Sequence, residues 1–247
     1  MKVLITAGGT SEKIDDVRSI TNHSTGSLGS LIAEAFLENS IQVDYVTTVI
    51  AKKPASQKDL TVHSITDTRS LAETLETLLK ENTYAAVIHS MAVSDFTPTQ
   101  SLSQEQFLER INRLIENKSI LTAEDLKQLV GDNQETVTKI SSDTDQLYVI
   151  LDKTPKVIQS IKQLQPNTLL VGFKLLVDVS KEELLTVATA SLHKNQADYV
   201  LANDLTSIEF DKHVGYLIDP QGQIIGEVDS KEAIAQLIVQ TLLPEFK

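Results

Sequence analysis

The chain of 247 residues contains no cysteine and no tryptophan, and aromatic residues make up only 4% of it. Without cysteine there can be no disulfide, no thiolate metal site and no cysteine nucleophile. So few rings make a base-stacking platform for nucleic acid hard to build. Positive charge is scarce too: 22 Lys and Arg stand against 34 Asp and Glu, a formal net charge of −12. That balance argues against nucleic acid as the main partner. It leaves room for a small anionic ligand, because a few lysines and helix ends can make a local positive site. No apolar run is long enough to span a bilayer. Met1 leads directly into a strand-like run, with no charged n-region, apolar h-region or cleavage site. A cytoplasmic protein with no membrane partner is the expectation.

Several catalytic signatures are also missing. The dinucleotide fingerprint G-x-G-x-x-G is absent, and only Gly26-x-x-Gly29 remains of it. The acid that would hold a ribose after the second strand is replaced by Val46-Thr47-Thr48. None of the five tyrosines is followed by lysine four residues on, so the short-chain reductase pair is absent. A Walker loop and a G-x-S-x-G elbow are absent as well. The five histidines, His23, His63, His89, His193 and His213, show no metal-ligand spacing and read as satisfied polar or surface groups, with His23 the possible exception. No metal ligand set is expected.

What is present is an alternation of apolar runs and amphipathic stretches. Lys2 to Thr6, Ile41 to Thr47, Thr61 to Ile65, Tyr84 to His89, Thr168 to Phe173 and Ala197 to Ala202 read as strands. Helical spacing follows from Ser27, over Thr68 to Lys80, Pro155 to Leu164, Ser180 to about Asn195 and Asp229 to Leu243. Val214 to Asp219 and Gln223 to Val228 flank Pro220-Gln221-Gly222 as a hairpin. This order predicts a three-layer, Rossmann-like α/β fold with a mostly parallel sheet. Residues 101–138 depart from it. Ser103 to Asn117, with Ser103 and Gln106 as a capping box, and Thr122 to Val130 read as polar helices of an insertion or lid. Residues 135–140 and 146–151 can pair as a projecting hairpin. With no linker, repeat or low-complexity tract, residues 1–247 read as one domain.

The stretch with most chemistry follows the first strand. About 17 residues separate Gly9 from the helix at Ser27, where about 2–6 is usual for such a connection. A long connection at the carboxyl end of a first strand is more often a binding site than slack chain. Asn22-His23-Ser24-Thr25-Gly26-Ser27 places hydroxyls, an amide and glycine just before a helix N-terminus, which suits phosphate. Asp95 follows the Tyr84 to His89 strand at the same edge.

Taken together, these segments resemble phosphopantothenate–cysteine ligase. The matching motifs are Ile5 to Glu12, Ile14-Asp15-x-Val17-Arg18-x-Ile20-x-Asn22 to Gly26, Ala92 to Phe96, Lys139-Ile140, Lys153 to Val157, Val171 to Lys174 and Ala202-Asn203-Asp204. They occur in the family's order over nearly the whole chain, and the chain looks like a stand-alone member of bacterial type. The resemblance implies a homodimeric ligase joining 4′-phosphopantothenate to L-cysteine, with CTP (ATP possible) as co-substrate and Mg²⁺. The carboxylate would be activated as an acyl-nucleotide with release of pyrophosphate, because an amine cannot directly expel oxide from it. Carried over by motif, Asn22, Arg18 and Lys139 are catalytic. Gly8, Gly9, Ser24, Thr25, Gly26, Ala92, Asp95, Lys139, Thr154, Pro155, Phe173 and Lys194 lie around the nucleotide. Asn22, Met91, Ala92 and Asn203 contact substrate. Phe173-Lys174-Leu175 resembles the eukaryotic version of its motif, so the resemblance admits either nucleotide. The competing readings are an NAD(P)-dependent reductase and a non-catalytic nucleotide-binding protein.

Overall fold

A computed structural model describes residues 1–116, 118, 120–127, 143–209 and 212–246. In chain order its elements are β1 (Lys2–Ala7), β2 (Ser11–Lys13), β3 (Ser19–Thr21), α1 (Ser27–Glu38), β4 (Gln42–Thr48), β5 (Leu60–Ile65), α2 (Thr68–Glu81) and β6 (Ala86–His89). Then come β7 (Phe96–Ser103), α3 (Gln104–Ile115), α4 (Ala123–Lys127), β8 (Leu147–Lys153), α5 (Val157–Leu164), β9 (Leu169–Leu176), α6 (Lys181–Asn195) and β10 (Tyr199–Asp204). Two-residue β11 (Ile208–Glu209) and β12 (Lys212–His213) precede β13 (Gly215–Ile218), β14 (Ile224–Val228) and α7 (Lys231–Leu242).

These elements form two compact units. The first comprises Met1–Thr10, Asn22–Val93 and Lys156–Lys247; the second comprises Ser11–Thr21 and Ser94–Pro155. No proline- or glycine-rich linker marks the boundaries, which is why the sequence reads as continuous.

The first unit is an eight-stranded sheet in the order β14-β13-β10-β9-β6-β1-β4-β5. The six strands from β10 to β5 in that order are parallel, and β13 and β14 are added antiparallel at one end. Its inner strands are apolar on both faces, as the short runs Val3-Leu4-Ile5 and Ala86-Val87-Ile88 require. Side chains of even and odd residues therefore enter two different cores. Val3, Ile5, Ile88, Val171 and Leu201 meet Ile32, Ala35 and Phe36 of α1 and Ile234, Ile238 and Val239 of α7. Leu4, Val87, Leu170 and Val200 meet the leucines of α2 together with Val157, Ile161, Leu184 and Leu192 of α5 and α6. This is the α/β architecture expected from the alternation.

The chain runs from β1 outward to β4 and β5, then returns to place β6 on the other side of β1. The order of the sheet thus reverses between β1 and β6. At the amino edge, away from that point, the buried Asp44 carboxylate accepts from Tyr84 Oη and pairs with Lys2 Nζ, each at 2.6 Å. Burial, and then the bond to Asp44, pushes the Tyr84 phenol above its usual range.

The second unit contains two antiparallel pairs, β2 with β3 and β7 with β8. Two expectations change here. The long connection after β1 is not a loop but contains the β2–β3 hairpin, closed by Asp15. That carboxylate accepts from the backbone N–H of Val17 and Arg18 at 2.9 and 2.7 Å. The stretch after Ser94 is likewise a strand, with a register shift between Pro98 and Gln100. Proline cannot donate to a ladder, so a bulge is where it fits. β8 pairs with this strand, while the hairpin partner expected over 135–140 lies outside the described residues. The Ser103–Gln106 capping box opens α3 as the sequence predicts.

Helix α1 approaches β1 closely at Gly29, where an added Cβ would lie 2.4 Å from Cβ of Ala7. Gly29→Ala must push the helix off the strand. A stability loss of about 1–3 kcal/mol is expected for such overpacking, read by urea denaturation.

Candidate active site

In an open parallel sheet, ligands bind beyond the carboxyl ends of the strands where the strand order reverses. Here that point is the gap between Gly8-Gly9-Thr10, after β1, and Ser90-Met91-Ala92, after β6. The gap is bridged by backbone. Ala92 N–H donates to Gly8 O at 2.9 Å, Thr10 N–H donates to Ala92 O at 3.0 Å, and Gly9 and Ala92 form an isolated parallel bridge. Asn22 is then pinned by its own N–H to Thr10 O at 3.2 Å. Gly9 leaves space for it: a Cβ there would lie 2.1 Å from the Asn22 carbonyl oxygen. The Asn22 side chain is half-buried and makes no hydrogen bond among the described residues.

From Asn22 the chain runs through Ser24 and Thr25 into α1. The N-cap is Gly26, at φ 74°, which has no side chain to offer; Thr25 Oγ1 accepts from the first N–H, that of Ser27, at a long 3.4 Å, and no acid occupies the first turn. Thr25 Oγ1 and Ser27 Oγ are 2.8 Å apart beside that N–H. Lys52 N–H donates to Thr25 O at 2.9 Å, and the buried Tyr45 hydroxyl donates to Lys52 O at 3.1 Å, fixing the entry to the helix from below. An uncapped helix start with hydroxyls and no carboxylate is a place for an anion. Thr47 Oγ1 donates to Ala7 O at 2.9 Å, where a dinucleotide enzyme would present an acid to ribose.

Strand parity adds the remaining groups. Phe173 pairs with Leu201 in register, and Asn203 lies two residues beyond Leu201, so both share the face covered by α1 and α7. Phe173 packs on that core, and Asn203 is buried at the strand end. Since β14 runs parallel to β10, α7 also starts at this edge, so two helix N-termini lie on one face of the sheet.

The sheet edge thus brings together Gly8, Gly9, Asn22, Ser24, Thr25, Gly26, Ala92, Phe173 and Asn203. Two further candidates of this unit are not among them. Met91 is 7% exposed, its side chain held in the α2-side core, so it offers only backbone. Lys194 occupies the last turn of α6, where the chain turns back toward the start of β10, at the amino edge. The dipole of the helix end explains a lysine there, and within this chain it is not brought to the carboxyl edge. Arg18, Asp95, Thr154 and Pro155 belong to the second unit. There the Arg18 guanidinium grips Asp15 Oδ2 through Nε at 3.0 Å and Nη2 at 2.6 Å. Thr154 N–H donates to Asp95 O at 3.0 Å, and its hydroxyl to Ser94 O at 2.5 Å. Lys139 lies outside the described residues. No cluster of three or more metal-ligating side chains occurs among the described residues.

Two histidines have more definite environments than the sequence suggests. His89, at the end of β6, is fully enclosed with Nδ1 2.9 Å from Thr6 Oγ1, and burial lowers its pKa from 6.5 to about 4. His213 lies 3.3 Å from the Asn203 amide. Only a polar residue at the end of an otherwise apolar run signals the first, and no local pattern signals the second, because its partner is ten residues away.

An open, mostly parallel sheet whose strand order reverses between β1 and β6 places the chain in the doubly wound α/β class. The chain belongs to the DNA/pantothenate metabolism flavoprotein C-terminal domain family, whose model matches residues 1–136 and 130–245. It is similar to the coenzyme A biosynthesis bifunctional protein CoaBC of Thermococcus kodakarensis, 31% identical over 204 residues, covering 83% of this chain and 41% of that protein. The CoaBC protein of Methanocaldococcus jannaschii is 26% identical over 240 residues, 97% of this chain and 49% of that protein. The chain spans about half the length of the curated relatives it matches. Among solved structures it is similar to the DNA/pantothenate metabolism flavoprotein of Streptococcus pneumoniae, with 40% identity, a TM-score of 0.86 and 99% of each chain covered. A variant of Cab2 in complex with phosphopantothenate-cysteine shares the fold at 20% identity and a TM-score of 0.69, covering 99% of this chain and 86% of that one.

The buried His89 sets a pH dependence. In the unfolded chain it takes up a proton near pH 6.5, but in the folded chain only near pH 4. Between those values the unfolded state binds more protons, so stability must rise with pH. Its contribution is complete above about pH 6.5 and is lost as pH falls toward 4. Chemical denaturation at pH 4.5 and 7 of wild type and His89→Gln checks this: the variant should lose about 2 kcal/mol or more of the difference between the two pH values.

Proposed function

We propose that the protein is a phosphopantothenate–cysteine ligase of coenzyme A biosynthesis, acting on 4′-phosphopantothenate and L-cysteine. The observation that carries this reading is Asn22. The residue that the ligase motif marks as binding the acyl intermediate is packed against Gly9 at the switch point, its amide uncommitted, one short turn before an uncapped helix start. Family membership and the CoaBC relatives support it.

The chemistry runs in two steps. A carboxylate oxygen of phosphopantothenate attacks the α-phosphorus of a nucleoside triphosphate, and pyrophosphate leaves. The cysteine amine then attacks the acyl carbon, the nucleoside monophosphate leaves with the bonding pair, and the ammonium proton passes to solvent or to substrate phosphate. Both steps concentrate negative charge on oxygen, which preorganised donors stabilise. The first N–H groups of α1, the Ser24 and Thr25 hydroxyls and the Asn22 amide supply them, with the glycines Gly8, Gly9 and Gly26 allowing close approach. Phe173 offers an apolar wall and Asn203 an amide to substrate. We assign Lys139 the role of a cation at the triphosphate. CTP is the favoured nucleotide, with ATP as the other candidate. Mg²⁺ would arrive on the triphosphate, held by phosphate oxygens and water with few protein ligands. The enzyme is proposed to act in the cytoplasm as a homodimer.

The test is pyrophosphate release with Mg²⁺, 4′-phosphopantothenate and L-cysteine, comparing CTP with ATP. Release that depends on all substrates is expected, and the faster nucleotide identifies the co-substrate. Absence of release with either would sink the ligase. In Asn22→Ala, overall turnover should fall by about 100-fold or more while nucleotide binding by calorimetry stays near wild type, as for loss of an oxyanion donor. Unchanged turnover would remove Asn22 from its role.

A further inference from the structure

His213, which the motifs do not include, forms a buried pair with Asn203 at the carboxyl edge. Each is only 7% exposed. Asn203 Nδ2 lies 3.3 Å from His213 Nε2. An amide nitrogen can only donate, so Nε2 must be the unprotonated acceptor, and the proton of the neutral ring sits on Nδ1. That atom is buried with no hydrogen-bond partner. The backbone holds the ring in place, because His213 N–H donates to Asp229 O at 2.7 Å, just before α7. Burial, and then the nearby Lys231, keeps the ring from taking a second proton.

A buried donor left unpaired is costly, of order 1–3 kcal/mol, and such exceptions in native proteins usually have a use. The geometry also leaves a directional consequence. With Nδ2 donating to the histidine, a flip of the Asn203 amide sets its oxygen against the Nε2 lone pair unless the ring proton moves from Nδ1 to Nε2 in the same step. We infer that His213 is a positioning residue: it locks the Asn203 amide with its oxygen turned away from the ring, as a fixed acceptor for an N–H or O–H of the acyl substrate or of cysteine. The inference rests on the ligase reading for the identity of that donor, but not for the pair itself.

The two fail separately under one set of measurements on the full chain. In nitrogen-15 spectra, the Asn203 side-chain amide pair, assigned by its loss in Asn203→Asp, should shift and lose exchange protection in His213→Leu. In the pyrophosphate assay, His213→Leu should raise KM for phosphopantothenate or cysteine about tenfold with nucleotide KM unchanged, the size expected for one neutral hydrogen bond. His213→Gln presents a carbonyl oxygen where Nε2 stood, and should recover to within about threefold of wild type. A merely structural histidine would predict lowered thermal stability in both variants and no split between substrate and nucleotide KM. An unmoved Asn203 amide in His213→Leu, or a glutamine variant as impaired as the leucine one, would overturn the positioning role. Wild type that releases no pyrophosphate would overturn the ligase reading while the amide spectrum still decides the pair.

Discussion

Two backbone hydrogen bonds and one bridge tie the turn after β1 to the turn after β6, and the candidate site depends on them. Strands whose order reverses would normally diverge at that edge, leaving two independent loops. Here the ladder continues past both strand ends, from Gly8 to Ala92 and from Ala92 to Thr10, before the chains part. Thr10 is fully buried as a result, and its carbonyl becomes the fixed point from which Asn22 is suspended. A side chain on Gly9 would fill the space that Asn22 uses. The position of one amide thus follows from sheet hydrogen bonding rather than from any contact made by the amide itself.

The chain is strongly acidic, yet the proposed substrates are anionic. The resolution lies in where positive potential comes from. Of the basic side chains carried over by motif, Arg18 is already bound by Asp15, Lys194 lies at the far edge of the sheet, and Lys139 lies outside the described residues. The start of α1 remains, equivalent to roughly half a positive charge and insensitive to pH; that of α7 is capped by Ser230 and carries Glu232 in its first turn. Backbone dipoles need no counter-charge elsewhere on the surface, so a net charge of −12 and an anion-facing edge are compatible.

Much of this architecture is legible in the sequence because its strands are buried on both faces and its helices carry caps. The runs Val3-Leu4-Ile5 and Ala86-Val87-Ile88 have no polar face to confuse them. Ser103 with Gln106, and Ser180, whose hydroxyl accepts from the Glu183 N–H, announce their helices within four residues. Harder to read was anything held by contacts between distant segments. The β2–β3 hairpin consists of three-residue strands, too short for a period, and what closes it is a carboxylate turn at Asp15. The division into two units has no linker to mark it, because each crossing is a single peptide step between ordered residues. In the site, residues placed by local pattern, such as Gly26 before α1, fall where the pattern suggests. Met91 does not, because strand alternation past β6 turns its side chain into the core with Val87. His213 is invisible for a similar reason, its meaning set by a residue on another strand.

The two excursions that build the second unit also have a bearing on how the chain tolerates change. The first leaves after Thr10 and returns at Asn22, and those two residues are joined by a backbone hydrogen bond of 3.2 Å. The chain therefore comes back to the point it left, closing a loop whose neck is part of the sheet's own scaffold. A neck of that kind transmits neither the length nor the sequence of what hangs from it. The length of the hairpin between residues 11 and 21 can therefore change while the eight-stranded sheet keeps its register, so whatever constrains Arg18 and its neighbours comes from what they bind and not from the sheet.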